Sequence, residues 1–159
     1  MKRLLEDEIL VDAPRDRLWE LVDDLPAIQR ILPGCEELEA LAPNRYRAVM
    51  RTKIQFITLR VQGTAELADL HPPDHVRLAI SGRPIGLIGA FIVSVPIDVT
   101  EVDGRTRGVY AIDLELTGRL AAFGAPILRA TVKAQVREMM ENLRRELLRE
   151  PDDVQEATP

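Results

Sequence analysis

The chain of 159 residues is 46% hydrophobic and 30% charged, and 21 Lys and Arg against 26 Asp and Glu leave a net charge of −5. Such a length suits one domain that buries about two thirds of its unfolded surface without a disulfide or metal staple. An acidic chain with only 4% aromatic residues is ill suited to gripping a phosphate backbone or stacking bases, which excludes nucleic acid. Cys35 is the only cysteine, so neither an intrachain disulfide nor a cysteine zinc cluster can form. The N-terminus turns acidic at Glu6-Asp7-Glu8 before a signal-peptide core could build. The longest apolar run, Ile85 to Val95, reaches about half a membrane span. The sequence reads as cytoplasmic and soluble.

Residues Leu4 to Val11 mix apolar and acidic side chains as a half-exposed strand does. Asp12-Ala13-Pro14 opens a helix, with Asp12 as N-cap, and Leu18, Trp19 and Val22 carry it over about Pro14 to Asp23. Pro26 interrupts, and a second short helix of about Ala27 to Leu32 stops at Pro33-Gly34. From Tyr46 to Gly118 the period is two. Tyr46, Ala48, Met50, Thr52 and Ile54 form an inner face, and Arg45, Arg47, Val49, Arg51 and Lys53 a basic outer one. Ile57, Leu59 and Val61 begin the inner face of the next strand, and His71-Pro72-Pro73-Asp74 turns the chain. A strand with Val76, Leu78 and Ile80 on one face leads into a loop at Gly82 to Gly86. A long strand over Leu87 to Val99, a hairpin at Val102 to Arg105 and a last strand with Tyr110, Ile112, Leu114 and Leu116 inward complete an antiparallel sheet.

A long helix over about Leu120 to Glu150 closes the pattern. Leu128, Val132, Val136, Met139, Met140, Leu143 and Leu147 fall in one apolar stripe, opposite Lys133, Arg137, Glu141, Arg144 and Arg145. Phe123, Ile127, Ala130 and Ala134 add a further apolar face, which predicts fuller burial of the first half. The order is one strand, two short helices, about six further strands and a long helix. This α+β class has one apolar sheet face and one apolar helix stripe, which bury each other if the sheet curls around the helix. One domain over residues 1–150 and a polar tail over 151–159 are expected.

Catalytic chemistry has little to stand on. His71 and His75 are four apart, but the two prolines between them break the helix that would align both rings on a metal. No metal site and no cofactor are expected. Ser81 reads as a loop hydrogen-bonding serine, with no base placed to activate it. Cys35 follows the C-terminal end of a helix, where the dipole disfavours a thiolate, and reads as a small buried hydrophobe. Asp98 and Asp113 alternate outward; Asp7 is ambiguous. No catalytic residue is assigned.

The element order is similar to the helix-grip (START, Bet v 1-like or SRPBCC) superfamily, which includes lipid-transfer domains, plant allergens and polyketide cyclases. Val11-Asp12-Ala13-Pro14 with Trp19 resembles its strand-to-helix junction. Leu32-Pro33-Gly34-Cys35-Glu36-Glu37-Leu38 with Tyr46-Arg47-Ala48, and Gly118-Arg119-Leu120-Ala121-Ala122-Phe123-Gly124, resemble the G-subunit family of carbon monoxide dehydrogenase. The segment Pro84 to Val93 is more apolar than the family's usual polar, glycine-rich stretch. The acidic residues after Pro151 differ from the membrane-attaching extension of some members. The resemblance implies an accessory protein for a molybdenum hydroxylase of the carbon monoxide dehydrogenase type, with a hydrophobic pocket for a lipid or quinone-like ligand.

A sheet curled around a helix can enclose such a pocket. Its expected lining is Met50, Phe91, Tyr110, Ile112, Leu128, Val132, Val136, Met139 and Met140, residues that would serve equally as plain core. Pro84, Ile85, Leu87, Ile88 and Phe123 suit a pocket gate, a peripheral membrane contact or a strand edge buried in a homodimer. Arg45, Arg47, Arg51, Lys53 and Arg60 read as a solvated outer face or as a docking patch for anionic headgroups or an acidic partner. The leading expectation is a non-enzymatic binder of a hydrophobic small molecule. The competing readings are a cyclase or aromatase-like enzyme, which needs an acid-base group such as Tyr110 inside the cavity, and a docking adaptor with a filled core.

Overall fold

Seven antiparallel strands in the order β1-β7-β6-β5-β4-β3-β2 form one sheet in the computed structural model, which describes residues 1–149. The elements are β1 (Lys2–Val11), α1 (Arg15–Val22), α2 (Leu25–Ile31), β2 (Cys35–Ala42), β3 (Arg45–Ile54), β4 (Ile57–His71), β5 (His75–Pro84), β6 (Gly89–Val102), β7 (Arg105–Gly118) and α3 (Ala125–Leu147), with a 3-10 turn at Arg119–Ala122. The expected tail over 151–159 lies outside the described residues. Each strand from β2 to β6 pairs with its successor, and β1 joins the far edge beside β7. The sheet curves around α3, giving a helix-grip fold.

Register sorts the side chains. Met50 faces Val61, Gly82 faces Phe91, and Phe91 in turn faces Leu116, which puts the apolar set on the face toward α3. Arg51 opposite Arg60 and Gln62 opposite Arg83 stand on the other face. The β6–β7 hairpin turns through Asp103 (φ 54°) and Gly104 (φ 75°), the two positive-φ positions that a tight two-residue loop demands. Asp98 and Asp113 point outward, to His75 (2.8 Å) and Arg3 (2.9 Å) respectively.

Cys35–Ala42, which the sequence left unassigned, forms a strand held by pairing with β3 rather than by propensity. Several local readings are corrected. The N-cap of α1 is Pro14 rather than Asp12, and the Arg15 amide is satisfied by Glu101 Oε1 from the end of β6 at 2.7 Å. Pro26 lies inside the first turn of α2 rather than before it, with the Asp24 carboxylate capping the Ala27 amide at 3.1 Å. The long helix begins at Ala125, after the 3-10 turn, and Ala130 and Ala134 in its first half are exposed, because no second layer covers that side.

The C-terminal end of α3 is locked to α2 by a polar contact that the apolar stripe does not announce. Glu146 keeps only 7% of its side chain in solvent, while Arg30 Nε and Nη2 donate to its two oxygens at 2.9 and 2.5 Å. The Arg30 hydrogen bond holds the Glu146 carboxyl below the usual glutamate range against the opposing effect of burial. A lowered native pKa means stability that is full above the ordinary glutamate pKa and lost as pH falls through the native one. Arg30→Ala is expected to cost about 2 kcal/mol at neutral pH, less than a wholly buried pair because Arg30 is 38% exposed. In urea melts at decreasing pH the difference between variant and parent should shrink below pH ~4.5.

Candidate functional site

Where α3 crosses β3, β4, β6 and β7, the sheet and helix do not close completely. A cavity of about 200 Å³ remains, walled by Met50, Ile54, Leu59, Val61, Phe91, Val93, Leu114, Leu116, Leu120, Phe123, Leu128 and Val132. Three neutral polar groups, Thr52, Thr131 and Gln135, also line it, and among the described residues no charged side chain does. Gln135 Nε2 donates to Thr52 Oγ1, and Thr131 Oγ1 donates back to the Ile127 carbonyl at 3.0 Å. The Gln135 carbonyl and the Thr52 hydroxyl hydrogen remain available to a guest.

Thr131 also lines an apolar hollow on the outside of the molecule, with Gln55, Pro126, Ile127 and Ala130. The hollow lies between the β3–β4 turn and the first turns of α3, and Thr131 is the residue it shares with the cavity. A larger hollow, about 410 Å³, crosses the outer sheet face between Arg47, Gln62, Thr64, Ser81 and Arg83. It lies on the face of the sheet away from α3, touches Ala90, Phe91 and Ile92 as well, and is more open to solvent than the cavity, so it is less able to desolvate an apolar guest.

Of the expected pocket residues, Met50, Phe91, Leu128 and Val132 do line the cavity, and Phe123, expected as a gate, joins them. Tyr110, Ile112, Val136, Met139 and Met140 do not. Ile112 is buried with Leu4 and Leu5, and Tyr110 packs against that cluster. Met140 is buried with Val11 and Ala13, with Val136 packed beside it, and Met139 packs on the core of α1 and α2. The physical reason is the path of α3: its first half faces the central strands, whereas its second half lies on β1 and the two short helices. Tyr110 does stand opposite Asp7 in the β1–β7 register, and burial together with that carboxylate pushes its hydroxyl pKa up. Because it lies outside the cavity, it cannot serve as an acid there.

The expected gate divides in the same way. Pro84 is buried and Leu87 packs on the Ile54–Leu59–Leu120 cluster, whereas Ile85 and Ile88 are exposed. Phe56, absent from the expected set, is 97% exposed in a two-residue turn opened by Gln55 at φ 53°. A large aromatic between Ile54 and Ile57, at a turn where polar residues are usual, was the available signal. Thr131 and Gln135 were legible as an i,i+4 polar pair beside the apolar stripe.

The docking patch is largely neutralised by β2. Glu36 lies 2.7 Å from Arg60 and 3.5 Å from Arg51, and Glu37 lies 3.6 Å from Arg47. The Arg60 hydrogen bond holds the Glu36 carboxyl below its usual range. Burial raises the Cys35 pKa, which keeps the residue a thiol at neutral pH. Among the described residues no three His, Cys, Asp or Glu side chains gather as a metal site.

A curved sheet gripping one long helix, with an uncharged, largely apolar cavity between them, defines a helix-grip protein. The chain belongs to the CoxG family, the G subunit of carbon monoxide dehydrogenase, whose model matches residues 8–148. Among solved structures it is similar to a conserved protein from Geobacillus kaustophilus at 22% identity, covering 89% of this chain and 92% of that one with a TM-score of 0.80. It is also similar to the Zhui aromatase/cyclase from Streptomyces sp. R1128, at 19% identity over 89% and 93% of the chains with a TM-score of 0.60. A START superfamily protein from Mycobacterium smegmatis gives 12% identity, 87% and 92% coverage, and a TM-score of 0.62. At these identities the likeness is one of fold. No curated protein matches the sequence.

Proposed function

We propose that this protein binds a neutral, largely apolar small molecule, quinone-like or lipid, between sheet and helix, and serves a carbon monoxide dehydrogenase-type molybdenum hydroxylase. The observation that carries the reading is the cavity of about 200 Å³, whose only polar lining among the described residues is the uncharged trio Thr52, Thr131 and Gln135. A dry cavity of ~150 Å³ is already enough to take up benzene, so a ring fits within the space and a longer chain would protrude from it. Desolvation drives binding, at about 25 cal/mol per Å² of apolar surface before ordering costs. With no Lys or Arg in the wall, a fatty-acid carboxylate would be buried unpaired, which favours a neutral carbonyl or hydroxyl head instead. The link to the hydroxylase comes from the family's name. The cyclase reading is less well supported, because among the described residues no acid-base group lines the cavity.

Native mass spectrometry of gently purified protein, followed by solvent extraction, tests this reading. A co-purifying neutral lipid or quinone, or uptake of a quinone but not of a fatty acid from a panel, is the expected result. Protein that is repeatedly empty and takes up nothing from the panel would overturn it.

A further inference from the structure

The cavity between sheet and helix holds one polar feature that its apolar wall does not require. Thr52 stands on the inward row of β3 between Met50 and Ile54, and Gln135 stands on α3 one turn after Thr131. An aliphatic side chain at either position would pack without burying a polar group. Instead Gln135 Nε2 donates to Thr52 Oγ1 between helix and sheet, while Thr131 spends its own hydroxyl hydrogen on the Ile127 carbonyl. Gln135 Oε1 accepts no hydrogen bond among the described residues, and both Thr52 and Gln135 are half-buried.

The joined pair therefore offers a guest both kinds of hydrogen-bonding group. The Thr52 hydroxyl hydrogen and the second Gln135 amide hydrogen can donate, and the Gln135 carbonyl oxygen can accept. Turning the amide over keeps this mixed character, because an amide joined to a hydroxyl by one hydrogen bond always leaves a donor and an acceptor. A guest carbonyl only accepts, so it satisfies a donor and leaves Gln135 Oε1 unpaired beside an apolar wall. A guest hydroxyl accepts and donates at once and satisfies both.

We infer that Gln135, held in place by Thr52, makes the cavity selective for a hydroxyl head over a carbonyl head. For a quinone-like guest this means the reduced, quinol form over the oxidised one. The inference rests on the carrier reading and specifies which redox state is carried: the guest is the product of a quinone-reducing reaction, not its substrate. No electron moves within the protein. Quinone and quinol differ by two electrons and two protons, and the site discriminates between the finished molecules. A site built to hydrogen-bond a guest hydroxyl rejects the analogue lacking it, because the site's own polar group is then left unpaired.

The test is anaerobic calorimetric titration of the full chain with duroquinone and with its hydroquinone, whose four ring methyls block addition to the free Cys35 thiol. Cyclohexanone and cyclohexanol give the same contrast without redox chemistry. The hydroxyl member of each pair should bind about tenfold more tightly, the worth of one further hydrogen bond. A tenfold preference raises the two-electron midpoint of the bound duroquinone couple by about 30 mV. Gln135→Leu and Gln135→Met each remove two hydrogen bonds from the hydroxyl guest and one from the carbonyl guest, so the ratio of affinities should fall to about one. Dividing the parent's ratio by the variant's cancels the guests' own hydration. A merely structural effect would weaken both guests alike and leave the ratio unmoved. Equal affinity for both members of each pair, or a ratio that neither substitution moves, would overturn the inference and leave the carrier reading standing. Uptake of neither member by the parent protein would overturn both.

Discussion

Val132→Phe should abolish ligand uptake while leaving the fold intact or firmer. Val132 projects from α3 into the cavity, where Leu128 precedes it by one turn and the sheet contributes Val93 and Leu114. A phenyl ring placed there would occupy the space that a guest needs and adds no polar atom. Affinity for a quinone-like ligand is expected to fall by at least a hundredfold, equivalent to about 3 kcal/mol. Stability should meanwhile stay level or rise by about 1 kcal/mol, as cavity-filling substitutions commonly do. Ligand titration read by native mass spectrometry, alongside urea denaturation, separates the two effects. Unchanged binding in this variant would mean that the guest sits elsewhere. A milder companion is Gln135→Leu, which should lower affinity for a carbonyl-bearing ligand about tenfold, as one hydrogen bond to the guest is lost.

The second large effect is on folding. Gly34→Ala is expected to cost about 3 kcal/mol or more, read as a fall in the urea midpoint at unchanged slope. Gly34 holds φ at 67°, and a Cβ there would lie 2.1 Å from the Arg51 carbonyl oxygen. Its own carbonyl accepts the Arg51 amide at 2.8 Å, so the chain leaving α2 is pressed against β3. Relief of the clash would have to move one backbone off the other. Gly86→Ala is the control: its φ of 80° is similarly disfavoured, but nothing lies within 4 Å, so only the conformational cost of about 1 kcal/mol applies. Equal losses at the two sites would contradict this account.

Gly34 also shows why part of the chain could be read in advance. The Pro33-Gly34-Cys35-Glu36 stretch that carries the family resemblance is the point where α2 hands over to β2 against β3. Period-two alternation from Tyr46 onward placed Met50, Thr52, Phe91 and Leu114 on the face toward α3, because a pleated strand leaves each side chain only two directions. Asp103-Gly104 marked its hairpin by residue type alone. By contrast, Cys35–Ala42 has the composition of an exposed helix or loop and becomes a strand because β3 offers it an edge. That pairing also brings Glu36 and Glu37 to the arginines of β3 and β4, which changes a basic patch into ion pairs.

Neighbours along the chain suffice to decide which segments alternate, where turns fall, and which stripe of the long helix is apolar. From those, a sheet wrapped on a helix follows, because each has one face to bury. Which apolar residues touch one another, and which surround empty space, depends instead on how the packed elements cross. Tyr110, Met139 and Met140 carry the same inward signal as Met50, Phe91 and Val132. The crossing of α3 over the sheet buries the first three against β1, β7, α1 and α2, and leaves the others around a cavity. Hydrophobicity sets that a side chain leaves water; only the distance between two packed surfaces sets whether anything fills the space beside it.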